Sequence, residues 1–204
     1  MSRLAMKLQR LVFKISPHLA IALGVEFPLK SANRQFLEGD IFDYLNAFFT
    51  QQEQPAKCLF LGTDKRSWHY PKCLAAEVFT LDIEPKKAVY GNRGRHTIGS
   101  AAELEKHYAS ASFDVVIANG LIGFGMNQEQ DCEALLRASH AVLKAGGLLL
   151  MGYNDGAEFV DFKVREAKHY QLFEEVAPNH KALTRAQYDF GDHIFVFLKK
   201  RNHS

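Results

Sequence analysis

From residue 57 onward, short apolar segments rich in strand-forming residues alternate with spacers long enough for a helix. The first five such segments lie at 57–62, 77–83, 96–98, 113–118 and 147–153. Parallel strands need a crossover of about a dozen residues or more between them, whereas antiparallel hairpins need only a tight turn. The alternation therefore predicts an α/β fold with a mostly parallel sheet and right-handed crossovers.

Residues 127–145 carry the clearest helical pattern in the chain. Apolar positions recur there at a helical period, at Cys132, Leu135, Leu136, Val142 and Leu143. Asn127 with Gln130 resembles a capping box, and Gly146 is suited to end the helix. A helix is predicted over 127–145, between the fourth and fifth strands.

The periodicity weakens after residue 155. A helix is predicted around 159–168, and two further strands are predicted at 172–177 and 193–198. A polar loop with Pro178 and Gly191 separates these strands, so we expect them to lie antiparallel at one edge of the sheet. Seven strands are predicted in all.

Residues 1–54 are predicted to be a helical N-terminal extension, in front of a domain over 55–204. The first helix is amphipathic, with an apolar stripe of Leu4, Leu8, Leu11, Val12 and Ile15 beside a basic stripe of Arg3, Lys7, Arg10 and Lys14. The chain is expected to break near Pro17 and Pro28. The helix packs on its own domain or a protein partner, or it makes peripheral membrane contact. Both readings stay open, and the extension is also suited to act as a lid over a ligand site.

Composition excludes several classes of protein. The chain has 25 Lys and Arg against 23 Asp and Glu, a balance that does not predict DNA binding. Cys58, Cys73 and Cys132 lack CxxC spacing, so no metal site is predicted, and reduced thiols are expected. With no signal-peptide pattern, the expected location is cytoplasmic. The oligomeric state is not predicted.

A ligand site is expected beyond the carboxyl ends of the parallel strands. Gly62 follows the first strand, and Asp82 ends the second about twenty residues later. A glycine lets a ligand approach the backbone closely, and a carboxylate can accept hydrogen bonds from both hydroxyls of a ribose. The pair indicates a nucleoside-containing cofactor.

The chain resembles the class I S-adenosylmethionine-dependent methyltransferases in five segments taken in order: LFLGTDKRSW, VFTLDIEP, HTIGSAAEL, FDVVIANGLIGFG and LLRASHAVLKAGGLLLMGYND. The resemblance covers about residues 56–200. It implies a doubly wound, mostly parallel seven-stranded sheet of the Rossmann-like methyltransferase type, with an antiparallel final strand. It also implies S-adenosylmethionine as the cofactor.

The resemblance assigns ten residues to the cofactor by position: Gly62, Thr63 and Asp64 to the methionine part, Asp82 to the ribose, Ile83, Ser100 and Ala101 to the adenine, and Asn119, Gly120 and Leu121 to the methionine end. The first loop departs from the family's G-x-G-x-G pattern, because Asp64 and Arg66 stand at the later glycine positions. Ser100 stands where the family often has an acidic residue.

Methyl transfer from a sulfonium needs little acid or base chemistry when the acceptor is already nucleophilic. For a hydroxyl acceptor a base would help, and Tyr153 and Asp155 follow the fifth strand on the ligand side. Five further candidates remain: His107, His140 and His193 for the base, and Phe124 and Trp68 for the lining of an acceptor pocket.

The favoured function is a methyltransferase acting on a small-molecule or glycan-like acceptor. A non-catalytic binding or scaffolding protein of the same fold is the alternative, since the first loop keeps only Gly62 of the glycine pattern. A nicotinamide-dependent oxidoreductase would share an acidic residue such as Asp82 but not the final antiparallel pair.

Overall fold

The structure is a computed structural model that describes residues 3–27, 29–52, 54–156 and 158–201. Eight strands form one sheet: β1 (Lys57–Leu61), β2 (Glu77–Asp82), β3 (His96–Ile98), β4 (Phe113–Asn119), β5 (Leu143–Asn154), β6 (Phe173–Glu175), β7 (Gln187–Phe190) and β8 (His193–Lys200). The same described residues form five α-helices: α1 (Arg3–Ile15), α2 (Pro17–Ala22), α3 (Ala32–Phe36), α4 (Phe42–Thr50) and α5 (Glu129–Val142).

The strand order is β3-β2-β1-β4-β5-β8-β6. Strand β7 pairs with the first half of β8, and β6 pairs with its last residues. Strands β1 to β5 are parallel, and β8 runs antiparallel to β5, β6 and β7. The prediction of a mostly parallel sheet with an antiparallel final strand is confirmed. The predicted loop before β8 contains an unpredicted strand, β7, which forms a tight hairpin with β8 through Gly191 at φ 65°.

Helix α5 is shorter than the pattern predicted, because the fifth strand begins directly after it. Leu143 already has extended backbone angles and pairs with Phe113, so the helix ends before Gly146, which lies within β5. The expected cap at Asn127 was wrong by one residue. The capping box is formed by Gln128 and Asp131.

The predicted helix at 159–168 was wrong, and that segment holds only a single 3₁₀ turn, Val164–Glu166, before a second at Lys168–Leu172. Glu133 of α5 accepts the backbone N–H groups of Lys168 and His169, the latter at 2.9 Å. These donors are therefore bonded to a neighbouring element instead of to a carbonyl one turn back.

Three other crossovers are also built from 3₁₀ turns, at Tyr70–Lys72, Pro85–Tyr90 and Ala101–Lys106. The short crossovers cover little of the sheet by themselves. Helix α4 supplies part of the missing layer on one face, since Phe42, Leu45 and Phe49 pack into the same buried cluster as Phe60. Helix α5 covers the opposite face.

The first two helices form a separate layer. Pro17 begins α2, with Ser16 as its N-cap, and the break predicted at Pro28 lies outside the described residues. Phe13 and Ala20 are buried against Trp68, whose indole N–H donates to the carbonyl of Val25 at 3.2 Å. The domain boundary between residues 54 and 55 stays a prediction.

Asp114 joins three parallel strands at the edge opposite the ligand side. Its buried carboxylate accepts the backbone N–H of Lys57 at 2.8 Å and the Lys144 ammonium at 2.8 Å. We expect Asp114→Ala to lower the free energy of unfolding by about 1–3 kcal/mol, because it leaves these donors without an acceptor. Urea unfolding followed by circular dichroism measures the change.

Asp43→Ala is the matched control, because it removes an exposed carboxylate whose partner is the exposed Lys181. Exposed pairs contribute little, so this variant should unfold as the wild type does. Equal destabilisation by both substitutions would contradict the role given to Asp114.

Candidate functional site

A cavity of about 590 Å³ opens at the carboxyl ends of the parallel strands. All ten residues assigned to a cofactor by the sequence line it: Gly62, Thr63, Asp64, Asp82, Ile83, Ser100, Ala101, Asn119, Gly120 and Leu121. The volume lies within the range of small-molecule and cofactor sites. Within the described ranges, no group of His, Cys, Asp or Glu is arranged to hold a metal ion.

Asp82 ties together the loops that follow β1 and β2. Its side chain is almost fully buried; Oδ2 accepts the Thr63 N–H at 2.7 Å, and Oδ1 accepts the Glu84 N–H at 2.8 Å. The Lys87 ammonium lies 3.9 Å from Oδ2. Each carboxylate oxygen accepts about two hydrogen bonds, so both oxygens keep capacity for a ligand in the cavity.

The loop after β1 turns sharply at Gly62, which has φ 80°. A Cβ at this position would lie 3.0 Å from Leu121 Cδ2 in a conformation that suits glycine. Asp64, which stands where the family has a glycine, folds back on its own loop: its Oδ1 accepts the Arg66 N–H at 2.7 Å. Its carboxylate is thus already hydrogen-bonded within the loop.

On the β3 side, the lining comes from Ile83, Ser100 and Ala101. The Ser100 hydroxyl accepts the Ala102 N–H at 3.2 Å and so caps the short turn that follows β3. Ile83 is largely exposed at the cavity wall. This end therefore presents a hydroxyl between apolar surfaces.

On the β4 side, the Asn119 side chain crosses β5 to reach β8. Its Oδ1 lies 3.2 Å from His193 Nε2, and His193 Nδ1 lies 2.6 Å from Asn154 Oδ1. The crossing needs Gly152, because a Cβ there would lie 2.0 Å from Asn119 Oδ1. The sequence did not identify this use of Gly152.

Burial lowers the pKa of the His193 imidazole to about 4, and the nearby Arg34 charge contributes in the same direction. At neutral pH the ring is uncharged and donates from one nitrogen only. Both ring nitrogens face an amide oxygen, so the single N–H of the neutral ring donates either to Asn154 Oδ1 or to Asn119 Oδ1, according to the tautomer.

The structure places the two favoured candidates for a catalytic base, Tyr153 and Asp155, outside the cavity. Tyr153 is buried in the core, and burial raises the pKa of its phenol, so the group stays neutral. Asp155 is exposed, and neither residue lines the cavity. Both are therefore poorly placed to act on a ligand bound there.

Of the five further candidates, His193 and Phe124 line the cavity. His140 packs edge-on against Phe173 from α5, and His107 is exposed beside Gly99. Trp68 is buried beneath the first two helices.

Arg34 of α3 lines the cavity and was missed by the sequence. Its guanidinium donates to the Tyr70 hydroxyl and lies 5.6 Å from the centre of that ring, while the hydroxyl donates to Glu38 at 2.7 Å. Asn33, Leu29 and Leu37 line the same wall. The sequence offered one indication of Arg34, namely a positive charge just ahead of the apolar pattern that continues into α4.

No family model matches the chain, and no curated protein matches it by sequence. The structure is similar to a TehB-like SAM-dependent methyltransferase from Corynebacterium glutamicum, with 19% identity, a TM-score of 0.57, and 83% of this chain and 94% of that one covered. It is also similar to the N-methyltransferase NodS from Bradyrhizobium japonicum in complex with S-adenosyl-L-homocysteine, with 11% identity, a TM-score of 0.62, and 85% and 90% covered.

A third similar structure is the 1,6-didemethyltoxoflavin-N1-methyltransferase from Burkholderia thailandensis, with 19% identity, a TM-score of 0.51, and 81% and 78% covered. This chain has the class I methyltransferase fold. The methyltransferase fold is thus shared although few residues are identical, because strand order and core packing tolerate wide changes in sequence.

The low pKa of His193 makes stability depend on pH. Between pH 6.5 and about 4 the unfolded chain binds a proton at this residue and the native chain does not, so the free energy of unfolding falls as the pH falls. From pH 7 to about 4.5, we expect the wild type to lose on the order of 2 kcal/mol more than His193→Gln. Urea titrations across this range measure the difference.

His18→Gln removes an exposed histidine of α2 and is the matched control. A loss of stability that is identical in the wild type and in His193→Gln would mean that His193 titrates normally.

Proposed function

We propose that this protein binds S-adenosylmethionine in the cavity at the carboxyl edge of the sheet and transfers its methyl group to a small-molecule acceptor. The observation that carries the proposal is Asp82, a buried carboxylate at the end of β2 with free acceptor capacity toward the cavity. Proteins of the same fold, described as S-adenosylmethionine-dependent methyltransferases or solved with S-adenosylhomocysteine, support it.

The strand order sets the direction in which the cofactor would lie. Asp82 on β2 would accept the ribose hydroxyls, and the adenine would extend toward β3, between Ile83 and Ala101, with Ser100 near its edge. Neighbouring strands are about 4.8 Å apart, so the methionine part would extend roughly 10 Å the other way, to β1 and β4.

Gly62 and Gly120 would let the methionine part approach the backbone closely, since neither has a side chain in the cavity. Arg34 lines the same cavity as His193, which lies beside Asn119 at the end of β4. Its guanidinium is held by Tyr70, a phenol, and not by a carboxylate. It would therefore bind the methionine carboxylate.

The cofactor supplies an electrophilic methyl group and a neutral thioether leaving group. The residues of the chain would align the acceptor and exclude water. His193 is a weak base because its pKa is low, so the site suits an acceptor that is nucleophilic without losing a proton first, such as a neutral amine, better than an alcohol. The wall formed by Arg34 of α3 and by Leu37, which follows α3, would act as the lid over the acceptor.

A non-catalytic protein of this fold is the second candidate. Two observations favour it: the first loop has Asp64 and Arg66 where the family has glycines, and most crossovers are 3₁₀ turns instead of helices. Such a protein would bind a partner through the same fold and would not turn over the cofactor.

The first test is isothermal titration with S-adenosylmethionine and S-adenosylhomocysteine. We expect Asp82→Ala to weaken both affinities about tenfold to a hundredfold, because the ribose loses hydrogen bonds to a charged acceptor. Asp155→Ala, which removes an exposed carboxylate outside the cavity, should bind as the wild type does. Absence of binding by the folded wild type would contradict the proposal and favour the non-catalytic candidate.

The second test separates the two ends of the cofactor. Arg34→Met should weaken S-adenosylhomocysteine about tenfold or more and leave methylthioadenosine unchanged, because the latter lacks the amino-acid carboxylate. Asp82→Ala should weaken both ligands. Equal weakening of both by Arg34→Met would show that Arg34 does not bind the carboxylate.

A further inference from the structure

The first two helices expose a continuous row of large apolar side chains: Leu4, Leu8, Leu11, Ile15, Leu19 and Leu23. Their exposed fractions lie between 50% and 77%. In α1 these residues recur at intervals of four, three and four, which places them on one face of the helix. We call this set the leucine stripe.

The leucine stripe is held in place by the opposite side of the same helices. Phe13 of α1 and Ala20 of α2 are buried against Trp68, and the Phe13 ring lies 6.2 Å from that of Tyr90. The apolar residues of α1 are thus divided between two faces. One face anchors the helix to the protein, and the other faces solvent.

A basic row flanks the leucine stripe. Lys7, Arg10 and Lys14 are exposed and recur at intervals of three and four along α1. The first 25 residues hold no Asp or Glu. An exposed apolar face beside a row of cations complements a surface with negative headgroups above hydrocarbon.

We propose that the leucine stripe docks on the surface of an anionic lipid bilayer, with the basic row against the headgroups. Helix α1 has 13 residues and a length of about 20 Å, shorter than the roughly 30 Å hydrocarbon core, so it would lie in the plane of the interface. Among the described residues, no helix is long and apolar enough to cross a bilayer.

A second copy of the chain is a poorer occupant. An antiparallel twofold pairing of this face would bring the basic rows together, and the first 25 residues have no carboxylate to compensate them. The proposal does not depend on cofactor binding, because the stripe residues do not line the cavity.

Vesicle flotation with the full chain tests the proposal. The wild type should bind vesicles of equimolar phosphatidylcholine and phosphatidylglycerol and bind vesicles of phosphatidylcholine alone much more weakly. Leu8→Ser with Leu11→Ser should lower binding more than tenfold, because two apolar side chains that would be buried in the bilayer are lost. Lys7→Gln with Lys14→Gln should lower it about twentyfold on the anionic vesicles only.

Ile98→Ser is the control for the apolar substitutions, since Ile98 is 51% exposed and lies on β3, away from the stripe. It should float as the wild type does, and circular dichroism should show that all variants are folded. Two results would overturn the proposal. One is a wild type that does not bind the anionic vesicles, and the other is an oligomer in sedimentation velocity that the leucine substitutions dissociate.

Discussion

The carboxylate of Asp82 holds the ligand edge of the sheet in shape. It lies at the end of β2 and binds the backbone of the loop after β1 through Thr63 and of its own loop through Glu84. Two loops that are distant in sequence thus have a fixed relative position. A group that is buried, charged and already hydrogen-bonded needs no reorganisation to accept two more hydrogen bonds. The same contact that shapes the edge therefore supports the proposed ribose site.

The sheet reaches its layered arrangement with few crossover helices. Where short 3₁₀ turns follow β1 and β2, large residues such as Tyr70 pack on the sheet beside α4. The helical extension thus takes the place of a layer that the crossovers lack. Arg34 and Leu37 reach the cavity wall from the segment that leads into α4, so the extension that completes the core also contributes to the ligand edge.

The two proposed binding surfaces share neighbouring elements. Trp68 ends the loop that begins at Gly62, and Tyr90 ends the turn that follows Asp82. Both side chains pack beneath α1 and α2, on the side opposite the leucine stripe. The loops that line the cavity after β1 and β2 therefore also support the two helices that carry the stripe.

The sequence by itself determined the strand alternation and the parallel sheet, because hydrophobic periodicity is a local property of the chain. The carboxyl-edge rule placed Gly62 and Asp82 at a ligand site, and the family resemblance assigned ten residues that are among those lining the cavity. The helix that the sequence predicted at 159–168 is absent, and Glu133 of α5 accepts the backbone N–H groups of Lys168 and His169 at the end of that segment. The sequence also missed Gly152, Arg34 and the orientation of α1. These features depend on which groups meet across strands and layers, and only the tertiary structure decides that, because the contacts join residues far apart in the chain.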